Sequence, residues 1–367
     1  MKFTGLRENL MRALTIVQRI LTKNPSLPIL ENVLIETDNK QLKISTTNLE
    51  MGVRLWVKGK VEEDGKVCIP ATLLSSIVSH IREERITLES QGLNALISTQ
   101  NFQGTIKGQD ANEFPLIPNP QIPTMLPFNV KHLAQGLYQV HYIATISEIY
   151  PEISGVLFLL SQDGLTLVAT DSFRLGKKEV AMSLPKELVG ASFILPLKPA
   201  QELAFILDQS VQPTAKVGWS ENQVLFLLED VQVVFRLLAG SYPQVNELIP
   251  KDFSLDIVAD KQELIDAIKL ISAFAPKTND CKWELSGSQL KISSSATLGS
   301  SQTTLKVKAK GSAIAQIVFN YRYLLDGLLH IDQKEVLIRL NNEATPVVFY
   351  GQGNESYLYL VAPLKSS

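Results

Sequence analysis

The sequence is poor in cysteine, in net charge and in long apolar runs, and each shortage argues against a class of protein. The 367 residues include two cysteines, Cys68 and Cys281, which gives no basis for a disulfide framework or a zinc site. Apolar runs such as Val156–Leu160 are far shorter than the roughly 20 residues needed to cross a bilayer. The segment Met1–Leu10 is charged where an export signal needs an apolar stretch, so we expect a cytoplasmic protein with no membrane contact. A formal net charge of −2 argues against an extensive basic surface for nucleic acid and leaves weaker contact open.

The usual signatures of enzymes are also missing. There is no Gly-x-x-x-x-Gly-Lys phosphate loop, and "GQGNES" (351–356) has only two of the three glycines of a dinucleotide fingerprint. Asp171 and Ser172 in "ATDSFRL" raise the question of a hydrolytic triad, which needs a base within hydrogen-bond reach and usually a sharp, Gly-flanked turn. Neither is visible, since the histidines lie in or at the ends of helix-like segments: His80, His132, His141 and His330. We expect a non-catalytic protein that uses no cofactor and no metal.

The chain contains three internal repeats. Its length, 45% apolar content and 20% charged content are those of a globular protein with two or three domains. Each repeat opens with a short strand and an amphipathic helix, at Met1, at Leu126 and at Phe253. In the first helix, apolar residues at steps of three and four predict a buried stripe: Leu6, Leu10, Leu14 (or Ala13), Val17 and Ile20 (or Leu21).

The remainder of each repeat follows one order. Paired apolar runs around a polar turn predict hairpins in segments 29–46, 155–170 and 281–294. A strand, a second helix and more strands follow from Lys66, Ala191 and Ala315. Proline-rich linkers at 115–127 and 247–252 predict three domains with bounds 1–125, 126–252 and 253–367. This order indicates an α+β fold with helices on one face of antiparallel sheets.

Short segments along the whole chain resemble the bacterial β sliding clamps, the processivity subunits of DNA polymerase III. The segments are "MKFT" at the start, "LPIL" (27–30), "EFPLIP" (113–118), "ATDSFRL" (169–175), "GSYPQVNELIP" (240–250) and "APLK" (362–365). Their shared order within a threefold repeat carries the resemblance. It implies three repeated clamp domains and a head-to-tail dimeric ring, with helices lining the inner face around duplex DNA and antiparallel sheets outside. Such a homodimer would slide on DNA through weak, sequence-independent phosphate contacts.

The resemblance also implies a set of partners and a pocket for them. The partners are double-stranded DNA, the polymerase III alpha subunit, the clamp loader, and other clamp-binding polymerases and repair proteins. In the family, the segment matching Thr170–Leu175 is one wall of a hydrophobic pocket for a short motif of these proteins. The implied pocket residues are Ile153, Thr170, Ser172, Phe173, Arg174, Leu175, Pro243, Leu248, Leu360, Val361, Pro363 and Leu364. Arg174 and Lys365 would lie at the rim, and Phe173 with Ala362 would reshape the pocket.

Two further surfaces follow from the resemblance. The implied DNA contacts are Arg12, Arg19, Lys23, Asn24 and Lys198, with Lys23 and Lys198 expected to contribute most. A solvated helix face is the plainer interpretation of the polar residues Glu8, Arg12, Thr15, Arg19 and Lys23. The dimer would pair the edge strand Phe102–Lys107 with the segment Ile271–Phe274, through Phe102, Ile106, Ile271 and Phe274.

A second class of function stays open. The weak basic lining favours a non-enzymatic repeat scaffold that binds protein partners without DNA. Retention on circular DNA, with loss from linear DNA, separates a sliding ring from such a scaffold.

Overall fold

The secondary structure follows one order in each of the three predicted repeats. The computed structural model describes residues 1–21, 26–297, 299–311 and 314–364. Over these ranges the order is strand, helix, several strands, helix and more strands. The helices are α1 (Arg7–Ile20), α2 (Ala71–His80), α3 (Val130–Val140), α4 (Leu197–Asp208), α5 (Lys261–Ser272) and α6 (Tyr321–Leu329).

Each predicted repeat contains eight or nine of the described strands. The first repeat has β1 (Lys2–Leu6), β2 (Asn32–Asp38), β3 (Gln41–Thr47), β4 (Met51–Val57), β5 (Gly59–Glu63), β6 (Lys66–Pro70), β7 (Arg85–Gln91), β8 (Asn94–Ser98) and β9 (Gln103–Ile106). The second has β10 (Leu126–Asn129), β11 (Gly155–Ser161), β12 (Gly164–Thr170), β13 (Arg174–Val180), β14 (Ser192–Pro196), β15 (Thr214–Trp219), β16 (Gln223–Leu227) and β17 (Val231–Arg236). The third has β18 (Leu255–Asp260), β19 (Asp280–Ser286), β20 (Gln289–Ala296), β21 (Gly299–Lys306), β22 (Lys308–Gly311), β23 (Ile314–Asn320), β24 (Glu335–Leu340), β25 (Val347–Gly351) and β26 (Asn354–Val361).

The described strands form four antiparallel sheets. Their orders are β5-β1-β7-β8-β9, β10-β15-β16-β17-β4-β3-β2-β6, β14-β11-β12-β13-β26-β25-β24-β18-β22 and β21-β20-β19-β23. The three predicted hairpins are confirmed as the pairs β2–β3, β11–β12 and β19–β20. The α+β class is confirmed as well.

Two strand pairs join one repeat to the next. Strand β17 pairs with β4, where Phe235 lies opposite Met51. Strand β26 pairs with β13 in the same way, and Val361 lies opposite Arg174. By position in the repeat, β9 corresponds to β17 and β26, and β21 corresponds to β4 and β13. Unlike their counterparts, β9 and β21 are the end strands of their sheets.

The chain divides into two compact units by the density of its contacts. One unit contains Met1–Ala134 and Gln201–Leu237, and the other contains Gln135–Ala200 and Leu238–Ser367. The division crosses α3 and α4, because β17 belongs to the sheet of β4 and β26 to the sheet of β13. The domain bounds 1–125, 126–252 and 253–367 stay a prediction. The two compact units follow the sheets, two of which contain strands from two repeats, and so they do not test bounds that are defined by repeat.

Helix α1 buries most of the apolar stripe that its periodicity predicts. In α1, Leu10, Leu14, Val17 and Ile20 are buried, each contributing about 1.5–3 kcal/mol to folding. Leu6 departs from the predicted stripe with 37% of its surface exposed, because it is the N-cap residue and lies before the first helical turn.

Candidate protein-binding and DNA-binding sites

The segment "ATDSFRL" forms the tight turn between β12 and β13. The Thr170 hydroxyl donates to the carbonyl of Arg174 at 2.8 Å, and the amide of Ser172 donates to the same hydroxyl at 3.2 Å. Asp171 Oδ1 accepts from the amides of Phe173 and Arg174, both at 3.0 Å. Ser172 has a φ of 75°, in the left-handed region that non-glycine residues seldom adopt. The Asp171 carboxylate therefore holds a turn in place, and it is not positioned to orient a catalytic base.

The Arg174 side chain links this turn to α6. Its Nε donates to Asp171 Oδ2 at 2.9 Å, and its Nη1 donates to Asp326 Oδ2 on α6 at 2.6 Å. The guanidinium lies over the ring of Tyr323, 4.4 Å from the centroid. Burial alone lowers the pKa of Arg174, but Tyr359 and the two carboxylates outweigh it and raise that pKa.

The structure places Arg174 differently from the expected rim position. Its side chain is only 8% exposed and is already paired with two carboxylates. The physical reason is the strand register: Arg174 begins β13 opposite Val361, which turns its side chain towards α6. Lys365, the second predicted rim residue, lies outside the described residues.

Three separate chain segments meet beside this hairpin. Leu175, Leu360 and Val245 belong to one buried apolar cluster, and Tyr242 packs against it. The amide of Ala362 donates to the carbonyl of Phe173 at 2.9 Å, which ties the C-terminal segment to the turn. The hairpin, the linker after β17 and the end of β26 thus form adjoining walls, which we call the hairpin pocket.

The predicted pocket residues divide into a buried floor and an exposed lining. Ile153, Thr170, Leu175, Leu360 and Val361 are buried, each with 5% exposure or less. The side chains of Phe173 and Leu248 are open to a ligand, with 59% and 51% of their surface exposed. Ser172 and Pro243 are exposed too, and Pro363 and Leu364 are partly buried.

Sequence reasoning missed four residues that shape this site. Tyr242 and Val245 pack in the apolar cluster, while Tyr323 and Asp326 hold Arg174. Burial raises the pKa of Tyr242, and a backbone contact with Thr170 lowers it in part. The apolar spacing of the segment "YPQV" could have indicated Tyr242 and Val245. The α6 residues carried no signal, because only the fold brings them to the turn.

A second hairpin, between β3 and β4, repeats this construction. The Thr47 hydroxyl donates to the carbonyl of Met51 at 2.8 Å, and Asn48 Oδ1 accepts from the Met51 amide at 2.7 Å. Leu49 has a φ of 76°, like Ser172 in the other turn. Asn48 and Met51 therefore occupy the places of Asp171 and Arg174 without any charge.

The arginines predicted to contact DNA are paired with carboxylates. Arg12 Nη1 donates to Asp230 Oδ2 at 2.8 Å, and its Nη2 donates to Oδ1 at 3.3 Å. Arg19 donates from Nε and Nη2 to Glu202, and its guanidinium lies 4.3 Å from the ring centroid of Phe205. These pairs leave part of each arginine exposed and neutralise much of its charge. A DNA contact by either residue stays a prediction.

Of the other three predicted DNA contacts, Lys198 lies within the described residues. Lys198 is exposed near the start of α4. Lys23 and Asn24 lie outside the described residues.

The predicted dimer residues fall into two pairs. Phe102 and Phe274 are each 39% exposed, whereas Ile106 and Ile271 are fully buried. Ile106 therefore cannot form the exposed apolar centre expected of it, because side chains alternate along β9 and its side chain faces the core. The predicted edge strand, Phe102–Lys107, is shorter as β9, and Phe102 lies just before it. The Phe274 ring lies beside Gly299 at the start of β21, where an added methyl group would be 3.5 Å from it.

Burial shifts the pKa of three other side chains, Cys68, Cys281 and His141. Burial raises the pKa of Cys68 to about 11 and that of Cys281 to about 12, so both thiols stay protonated near neutral pH. Burial lowers the pKa of His141 to about 4. Within the described ranges, no three His, Cys, Asp or Glu side chains are grouped to hold a metal ion. No described helix has the length and apolar character to span a membrane.

Repeated α+β units with exposed apolar side chains beside a hydrogen-bonded turn are typical of non-enzymatic proteins that bind partners through a surface. Family models of the DNA polymerase III beta subunit match the chain in three parts: the N-terminal domain at residues 1–118, the central domain at 128–244 and the C-terminal domain at 246–365. The chain belongs to the DNA polymerase III beta subunit family, the beta sliding clamps. As a member of that family it is a non-catalytic processivity factor in DNA replication.

Individual relatives match along their full length. The beta sliding clamp of Synechocystis sp. PCC 6803 is 28% identical, over 100% of this chain and 99% of that protein. The crystal structure of the DNA polymerase III beta subunit from Thermotoga maritima superposes with a TM-score of 0.93 at 26% identity, covering 100% of both chains. The Pseudomonas aeruginosa sliding clamp bound to griselimycin superposes with a TM-score of 0.95 at 23% identity, again over 100% of both chains.

Proposed function

We propose that two copies of this chain form a head-to-tail ring that encircles double-stranded DNA in the cytoplasm. The ring slides along the duplex without reading its sequence. It tethers the polymerase III alpha subunit, the clamp loader, and other clamp-binding polymerases and repair proteins through the hairpin pocket. The cytoplasmic location follows from the role in replication.

The observation that carries the ring is that, among the described strands, β9 and β21 lack the partner strand that their counterparts in the other repeats have. Within the chain, β4 pairs with β17 and β13 pairs with β26. Their counterparts, β21 and β9, each have a neighbour on one side only among the described strands. A second copy can supply β9 to β21, and the first copy can return the same contact. A head-to-tail contact that closes after two copies covers both of these edges.

Phe102 and Phe274 support the same pairing. Each is an exposed aromatic side chain next to one of the two edges, Phe102 just before β9 and Phe274 beside the start of β21. An open cleft of about 650 Å³ is lined by Phe102, Ile77 and Ile81 on one hand and by polar side chains such as Arg82 and Glu83 on the other. We infer that apolar groups of the partner copy fill it.

The hairpin pocket supports the tethering of partners. It offers the exposed Phe173 on a turn fixed by at least four hydrogen bonds and the exposed Leu248 on the adjoining linker, which suits an extended peptide with one or two large anchors. A short peptide buries little surface and loses freedom on binding, so we expect dissociation constants on the order of micromolar. Griselimycin, the ligand of the Pseudomonas aeruginosa clamp, is a suitable competitor for this peptide.

A topological assay tests the ring directly. The protein is loaded by a clamp loader onto nicked circular DNA, and the retained fraction is measured by gel filtration before and after the DNA is linearised. We expect retention on the circle and loss from the linear form. Equal retention on both would contradict a sliding ring.

A repeat scaffold without DNA is the second candidate function. The carboxylate pairing of Arg12 and Arg19 favours it, because paired arginines attract phosphates less strongly. In that case partners still bind the hairpin pocket, while no retention on circular DNA is found.

A further inference from the structure

We propose that the hairpin pocket selects partner segments that carry basic side chains next to their apolar anchors. The inference rests on the proposed peptide-binding function and adds the charge of the partner to it. Its basis is an acidic rim, formed by Glu152, Glu247 and Asp326, on a pocket whose own arginine is already neutralised.

Arg174 supplies no free positive charge to the pocket. Its guanidinium is paired with both Asp171 and Asp326, so two carboxylates face one cation at the hairpin. Asp171 is committed to the turn, with its side chain 7% exposed. Asp326 is different, because 44% of its side chain stays exposed to solvent while it is paired with Arg174.

Glu247 and Glu152 add two carboxylates to other walls. Glu247 is exposed and directly precedes Leu248, one of the open apolar side chains of the pocket. Glu152 directly precedes the buried Ile153, and its Cβ is 3.4 Å from the position of a methyl group on Gly240. It therefore lies against the linker that leads into Pro243. Neither glutamate forms an ion pair with any of the described residues.

The unpaired carboxylates favour a ligand that brings its own cations. Each exposed ion pair that a basic peptide forms contributes about 1.4- to 5-fold in affinity. Two unpaired carboxylates, Glu152 and Glu247, and the partly exposed Asp326 belong to three separate segments of the chain. An acidic peptide would instead be repelled, so the rim selects between peptides with identical anchors.

A set of matched peptides tests the proposal on the full-length protein. Three fluorescent decapeptides share a central Leu-Phe anchor pair and differ in three flanking residues, which are Lys, Gln or Glu. Dissociation constants are measured by fluorescence anisotropy at about 0.05 M and about 0.5 M NaCl. We expect the Lys peptide to bind at least about 5-fold more tightly than the Glu peptide at low salt, with most of the difference lost at high salt.

Two variants assign the selectivity to the rim. Glu152→Gln with Glu247→Gln removes two charges and keeps size and polarity, so the Lys peptide should lose most of its advantage while the Gln peptide is unaffected. Lys251→Gln is the matched control on the same linker, because it removes an exposed charge of the opposite sign. It should leave the preference for Lys intact.

The outcomes separate the two proposals. Loss of all three peptides from Leu248→Asp places binding in the hairpin pocket, and failure of every peptide to bind the unaltered protein overturns the peptide-binding function itself. Equal binding of the Lys and Glu peptides at low salt leaves that function standing and overturns the acidic rim. A preference for Lys that survives in the double glutamine variant overturns it too.

Discussion

Replacing Arg174 by Met isolates the energetic role of the charge pair under the hairpin. The variant leaves the Asp171 carboxylate 7% exposed and without its cation. Removing one partner of a buried ion pair costs about 3–5 kcal/mol, because the remaining charge stays desolvated. Asp326 adds little to this cost, since 44% of its side chain is exposed to water.

The molecule itself suggests the compensating change. At the hairpin between β3 and β4, Asn48 and Met51 hold the same turn without charge. Adding Asp171→Asn to Arg174→Met should therefore restore most of the lost free energy of unfolding. The side-chain oxygen of the introduced asparagine can still accept from the two turn amides, as the oxygen of Asn48 does.

Urea unfolding followed by circular dichroism measures both variants. With two compact units in the chain, the transition that shifts is fitted separately from the one that does not. A loss below about 1 kcal/mol in the single variant, typical of a surface ion pair, would refute the reasoning. So would a double variant as unstable as the single one.

Three further predictions concern the turn, the dimer and the thiols. Ser172→Gly should raise the free energy of unfolding by about 1 kcal/mol in urea titrations, because glycine adopts a positive φ at no steric cost; a loss of stability would mean that the serine side chain contributes more than its strain costs. Phe102→Asp with Phe274→Asp should give monomers by light scattering with unchanged circular dichroism, since both rings are exposed in one chain, and an unaltered dimer would place the contact elsewhere. Cys68 and Cys281 should resist a thiol reagent at about pH 8, below the usual thiol pKa, until the protein is unfolded, and rapid labelling of the native state would contradict their burial. Their raised pKa also makes stability fall between pH 9.0 and about 11, where the unfolded thiol of Cys68 ionises and the folded one does not.

The sequence by itself determined the parts of this protein that depend on local spacing. Steps of three and four residues placed Leu10, Leu14 and Val17 on the buried side of α1. Paired apolar runs around polar turns marked the three hairpins, and the recurrence of one order marked the repeats. Such patterns are readable because backbone geometry sets a period of about 3.6 or 2 whatever the rest of the chain does.

Only the tertiary structure decided which side chains remain available at the sites. Ile106 and Phe102 are both apolar and adjacent to one edge, yet the first is buried and the second is 39% exposed. Arg174 would be a surface cation by its sequence context, but α6 brings Asp326 to it from 152 residues away. Charge pairing and strand joining depend on distances in space, and no local period of the sequence encodes them. Contacts between distant segments therefore decided the composition of the hairpin pocket, the neutralisation of Arg12 and Arg19, and the positions of β9 and β21 at the ends of their sheets.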